Sequence, residues 1–363
     1  MAENRIPARA LLLVPGAFAL LAGLDAGLLR LGLPAPIDTA RLADVHGILL
    51  VLGFVGTVIA VERAVASGRR WCYLAPAFLG LGAVLLVSPA PRRVADLALL
   101  AGAALLAAVY VPLWRRSWDA AVLVQAAGAV LATGAALLWA AGLPVSDLLG
   151  WLVGFLILTI AGERLELARV AILGTNAEVL LVASSAAVVL GALAQLLWPT
   201  VGFALLGGAI LGITCWLLRF DIARRTVHTT GLTRYMAVCL LAGYAWLAVP
   251  GLTWLVVGPV HSGGGYDAVV HAVMLGFVLS MIMAHAPVIM PAVLRRPVPY
   301  TPAMYGPVVL LHASLLLRVV VGDVRGVEWA LQAGGVLNIV AVLAFAGVAV
   351  HAATRRRPIG VPA

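Results

Sequence analysis

The chain has 363 residues, 63% hydrophobic and 11% charged, with a formal net charge of +9. A mean hydropathy of +1.09 excludes a soluble globular protein of this length and defines an all-α polytopic membrane protein whose first partner is the lipid bilayer. In a soluble chain the positive charge would suggest nucleic acid; here arginines in membrane-flanking loops explain it, and no nucleic-acid partner is expected.

Twelve hydrophobic spans follow in order, at about 10–33, 44–66, 71–90, 94–114, 119–141, 146–170, 177–197, 200–220, 232–257, 268–292, 302–322 and 328–353. Each is about as long as the 20 or so apolar residues a crossing helix needs. The connections are short, so neighbours form antiparallel hairpins within a single transmembrane domain over 1–363. The first span is too long for a signal-peptide core and has no small-residue cleavage site, so it is read as a membrane helix. All the basic residues are arginine, and they crowd alternate loops. One side has Arg69 and Arg70, Arg115 and Arg116, Arg219, Arg224, Arg225, Arg234, Arg295, Arg296 and the tail arginines Arg355, Arg356 and Arg357. The other side has few, among them Arg92, Arg93 and Arg325. This bias puts both termini in the cytoplasm, in a bacterial or archaeal inner membrane. The cysteines Cys72, Cys215 and Cys239 form no CxxC pair and read as buried thiols.

An ionisable residue inside a span is costly and marks a functional site by default. His46 lies near the outer end of span 2. His271 and His285 lie near the outer and inner ends of span 10, on nearly one face of a regular helix and about 21 Å apart in rise. His312 lies in span 11, about 15 Å deep by helical rise. Depth therefore pairs His46 with His271 and His285 with His312, while His228, His261 and His351 fall in loops or at a span end and read as surface residues.

Three segments share a pattern. Span 2 has GFVGTVIAVER from Gly53, span 6 has GFLILTIAGER from Gly154 and span 10 has GFVLSMIMAHA from Gly276. Nine residues after the glycine stand Glu62, Glu163 and His285. Because these spans are four apart, the chain reads as three pseudo-symmetric four-helix units of about 1–116, 117–228 and 229–363. The repeat puts Glu62, Glu163 and His285 at one depth, with Glu166 one turn from Glu163 and His312 on the next helix. Carboxylate and imidazole together suit copper, zinc or non-haem iron. The competing reading makes Glu62–Arg63 and Glu163–Arg164 interfacial ion pairs.

Two neutral imidazoles on two helices suit the axial positions of a haem b. Gly47, Gly53 and Gly276 would let a macrocycle approach the backbone, or would serve helix packing. Arg318 would neutralise a propionate or pair with Asp323. Asp44 and Asp267 would orient the imidazoles or face water. Met274, Met281, Met283 and Met290 read as core filler, with Cu(I) binding as the minor alternative.

Twelve spans in three units, with histidines on spans 2 and 10, resemble the heme–copper oxidase subunit I fold. That resemblance implies a low-spin haem held by His46 and His271. The family's HxH pair in span 10, the adjacent histidines of span 7 and the copper-site His of span 6 are absent, and Glu163 stands in span 6. A binuclear oxidase centre is therefore not expected. The stretch HAVMLGFVLSM from His271, the LLLRV around Arg318 and the early histidine of span 2 are similar to the NnrS family of heme- and copper-containing membrane proteins linked to nitric oxide stress. That family's fuller span-2 signature and its GHTGR-like segment are not reproduced. The resemblance implies a redox or nitric oxide-related role with a small gaseous or redox ligand. It also implies cofactor residues His46, His271 and Arg318, and a second metal site from His285, His312, Glu163 and Glu62. The alternatives are a proton- or ion-coupled transporter using His285, Glu163 and Glu62, and a cofactor-assembly protein. The residues leave open whether the chain is an enzyme.

Overall fold

In the computed structural model, residues 8–168, 175–295 and 297–354 are described. Arg296 and the tail arginines Arg355, Arg356 and Arg357 lie outside them. Among the described residues there are helices and no strands. Twelve helices are long and apolar enough to cross a membrane: α1 Arg9–Arg30, α2 Arg41–Ser67, α3 Arg70–Val87, α4 Arg92–Ser117, α5 Ala120–Ala140, α6 Val145–Ala168, α7 Asn176–Ala194, α8 Pro199–Phe220, α9 Gly231–Val256, α10 Gly263–Leu294, α11 Pro302–Asp323 and α12 Glu328–Thr354. All twelve expected spans are present, with ends shifted by a few residues. Hydrocarbon offers no partner to a bare N–H or C=O, so each segment satisfies its backbone within itself.

Local chemistry sets the helix ends. Gly68 leaves α2 in the left-handed region at φ 68°, which a Cβ would oppose. The Asp119 side chain accepts the Ala121 N–H at the start of α5, a capping bond that satisfies one free donor.

The hairpins α3–α4, α5–α6, α7–α8 and α11–α12 pack closely, α4 against α5 and α8 against α9 join them, and α12 touches α1. The inner half of α2 touches the inner half of α10. Arg9 of α1 donates to the carbonyls of Ala292 (2.8 Å) and Val293 (3.3 Å) at the end of α10, so these ends share one side of the bundle. Helices α2 and α6 are the most enclosed, and α1, α7 and α12 are among the least. Outward leucines and valines such as Leu21, Leu180 and Val350 give the apolar rim that lipid requires.

Three helices depart from α geometry. Leu49–Gly56 of α2, Ala272–Leu279 of α10 and Leu317–Asp323 of α11 are π-helical. Wide turns of this kind are rare and are frequently found at functional sites. The second lies between His271 and His285, so regular-helix arithmetic does not set the relative direction of those rings. Pro287 has no N–H for the Met283 carbonyl one turn back, and the Tyr235 hydroxyl donates to that carbonyl instead, at 3.2 Å.

Candidate functional site

The three π segments border one cavity of about 900 Å³, a size within the range of cofactor and ligand sites. Leu24 of α1, Leu50 and Val51 of α2, Leu149 and Leu152 of α6, Val270, Met274 and Leu275 of α10 and Ile339 of α12 give it apolar walls. Residues 142–146 and 261–264, with Gly322, Asp323, Gly326 and Glu328, line its mouth-side end, among the connections between helices and away from Arg9.

His46 and His271 both line this cavity, as the depth argument expects. The sequence places His46 three residues before the α2 π segment and His271 immediately before that of α10. Nδ1 of His46 donates to the Gly23 carbonyl of α1 at 2.8 Å. Nδ1 of His271 donates to the Asp267 carbonyl at 2.9 Å, with the Asp267 carboxylate 3.2 Å away. A neutral imidazole that donates through Nδ1 carries its lone pair on Nε2. Among the described residues neither Nε2 has a hydrogen-bond partner. Metal-bound histidines are usually oriented in this way, by a carbonyl or carboxylate on the far nitrogen. The donor set, the apolar walls and the volume fit a haem held by His46 and His271.

Arg318 also lines the cavity, and its protein partner is Asp267 rather than the expected Asp323. Its Nε and Nη2 donate to the two carboxylate oxygens of Asp267, each at 2.8 Å. Arg30 and Arg92 line the cavity too. Arg92 lies 4.2 Å from the Trp139 ring centre and 3.7 Å from Asp96. Arg30 makes a 3.5 Å contact to the Ala43 carbonyl, and it is the lining arginine best placed to meet an anion. Sequence reasoning missed it, because an arginine at a span end is indistinguishable from a topology signal. Exposed His261, expected to be a surface residue, stands at the mouth 3.2 Å from Asp147. His228 and His351 are exposed, and Asp44 lines the cavity from an exposed position.

The glycines divide. Gly47 lines the cavity, and a Cβ there would meet Val145 at 3.2 Å. Gly53 packs against Ala83 and Ala19, and Gly276 makes room for the Trp246 indole, which a Cβ would meet at 2.3 Å. The latter two serve helix packing. Met281 and Met283 are buried, while Met274 lines the cavity. Cys72 and Cys239 are buried, but Cys215 is exposed on α8.

The expected second site is built differently. His312 accepts the Trp246 indole N–H on Nδ1 at 2.9 Å, and its Nε2 lies 3.2 Å from the Ser280 hydroxyl. His285 donates through Nδ1 to the Met281 carbonyl at 2.8 Å, and its Nε2 faces Nη1 of Arg164 at 3.2 Å. Arg63 bonds Glu62, reaches Glu163 at 3.2 Å and donates to Oε1 of Gln125 at 2.9 Å. Arg164 grips Asp221 at 2.6 and 3.2 Å, and the Tyr244 hydroxyl donates to the same carboxylate at 3.1 Å. His285, His312, Glu62 and Glu163 thus all have other partners. Among the described residues no group of three or more His, Cys, Asp or Glu is arranged to hold a metal ion.

These features define a multi-pass, all-helical protein of the membrane-spanning type, with an apolar-walled chamber bearing two anchored imidazoles at one end. Over residues 9–354 the chain matches the family described as Domain of unknown function (DUF8744), and it belongs to that family. No curated protein matches it.

Proposed function

We propose that this protein is an integral membrane haem protein in which His46 and His271 would hold a b-type haem, with a redox or nitric oxide-related role of the NnrS-like kind. One observation carries the reading: two imidazoles on separate helices, each anchored through Nδ1, line one cavity, and among the described residues neither Nε2 has a hydrogen-bond partner. A bound haem supplies one-electron chemistry and an iron that takes small gaseous ligands. The chain's own residues hold the rings, keep the walls apolar and offer Arg30 to a propionate at the mouth.

Two further arguments bear on architecture. The reading as three pseudo-symmetric four-helix units draws support from a repeated reach. Arg63 of the first unit bonds Glu163 of the second, and Arg164 of the second contacts His285 of the third. In each case the arginine meets the residue at the matching place in the next repeat. The arginine bias supports both termini on the cytoplasmic side of a bacterial or archaeal inner membrane, with the cavity opening outward.

The test is a reduced-minus-oxidised spectrum of the purified protein after expression with haem supplied. A bis-histidine b-type band in wild type, lost in both His46→Ala and His271→Ala, supports the reading. A colourless wild-type protein sinks it.

A further inference from the structure

At the opposite half of the bundle from the cavity, charge does not balance. Arg164 and Asp221, 3% and 0% exposed, neutralise each other. Arg63 alone serves two carboxylates, Glu62 and Glu163, which come from different helices. An uncompensated charge at a largely buried place in a membrane protein is expensive, and such a group normally takes up a counter-charge or changes its protonation. His285 is not that counter-charge. Its Nδ1 donates to the Met281 carbonyl and its Nε2 faces an N–H of Arg164, so the ring is neutral and an imidazolium there would set N–H against N–H.

Among the described residues, three buried polar groups around Arg63 have no hydrogen-bond partner: Nε of Arg63 itself, Nε2 of Gln125 and the hydroxyl of Tyr110. Gln125 and Tyr110 are 0% and 1% exposed. Orphaned groups of this kind ordinarily have an ordered water or ion. The other charged and titratable neighbours are Glu166 on α6, which is exposed, and Arg164, Asp221, Tyr244 and His285. Arg9 is engaged with the carbonyls of α10.

We infer that Glu62 and Glu163 form a one-proton binding site of the membrane domain, sharing a single proton over the one guanidinium of Arg63, with water held by Tyr110 and Gln125. Proton exchange runs from the bundle end that carries Glu166, since the side chains of Glu62 and Glu163 remain 24% and 21% exposed. The step is an acid–base one only: a carboxylate oxygen takes a proton from water and returns it. The inference does not depend on the haem reading, because none of these residues lines the cavity.

Infrared spectroscopy of the whole purified protein tests it. Wild type should show, at neutral pH, one C=O stretch of a buried carboxylic acid that shifts in D2O. The band should vanish in Glu163→Gln and equally in Glu62→Gln, because the one carboxylate left is then matched by Arg63. It should persist in His285→Asn. If a glutamine variant does not fold, carboxyl-labelled glutamate in the wild-type chain must shift the band, and labelled aspartate must not. A wild type without the band, a band that survives both glutamine variants, or one that disappears with His285 overturns the proposal. So does a thermal midpoint that responds to sodium at fixed pH, which would make the counter-charge a metal cation.

Discussion

Arg318 on α11 and Asp267 on α10 form a two-pronged ion pair, with both N–H···O distances at 2.8 Å, and the same carboxylate stands 3.2 Å from Nδ1 of His271. The guanidinium is largely buried, with 7% side-chain exposure, so removing one partner leaves the other charge uncompensated. Arg318→Leu should destabilise the protein by about 3 kcal/mol. The double variant with Asp267→Asn should lose less than the sum of the two single variants, because the two sites act as one. Thermal unfolding in one detergent, run as a double-mutant cycle, measures this.

The ring of His46 is held from behind by α1. Its Nδ1 meets the Gly23 carbonyl, and a Cβ on Gly27 would lie 3.3 Å from its Cε1. Gly27 also lines the cavity, so Gly27→Val should both push the imidazole off its carbonyl anchor and crowd the cavity beside it. Loss of such an outer contact typically weakens metal binding by about 10- to 100-fold. Haem titration into the apoprotein is the measurement, with circular dichroism to show that the helices persist.

Gly276 and Gly47 should respond in opposite ways to alanine. A Cβ at Gly276 would lie 2.3 Å from Trp246, whose indole N–H bonds His312. Overpacking of this kind costs about 1 to 3 kcal/mol, and Gly276→Ala should also shift the tryptophan emission. At Gly47 the obstacle is a Val145 methyl at 3.2 Å, which a small adjustment relieves. Gly47→Ala should leave the thermal midpoint nearly unchanged.

Hydropathy shows all twelve helices because length and apolarity are the physical conditions for crossing a bilayer. Depth within a span was legible too, and it brings His46 and His271 to one cavity. Direction around the helix was not, because π segments follow or surround His46, His271 and Arg318 and a wide turn leaves no mark in composition. Partner choice was equally hidden. Arg318 has Asp267 one turn before His271 and Asp323 five residues along its own helix, and only geometry separates them. The repeat motif brought out Glu62, Glu163 and His285 as a set. The competing ion-pair reading foresaw Glu62–Arg63, but the sequence could not show that Arg63 also takes Glu163, or that Arg164 turns to Asp221 and His285 instead. Asp221, just beyond the end of α8, carried no sequence signal at all.

That hidden pair gives the sharpest stability test. Arg164 and Asp221 are joined at 2.6 and 3.2 Å and are almost completely enclosed, and Tyr244 adds a third side-chain hydrogen bond to the carboxylate. Breaking a buried pair by removing one partner costs about 3 to 5 kcal/mol, whereas losing one hydrogen bond to a charged group costs about 1.5 to 3 kcal/mol. Arg164→Leu should therefore lower the thermal midpoint more than Tyr244→Phe. Arg164→Lys should fall close to the leucine variant, because a point-charge ammonium cannot reproduce two parallel bonds and also reach His285. Under the proposed haem reading, the spectrum of folded Tyr244→Phe should match wild type, since the pair lies outside the cavity. A melt in which Arg164→Lys equals wild type would show that charge alone, and not the forked geometry, holds α6 to Asp221.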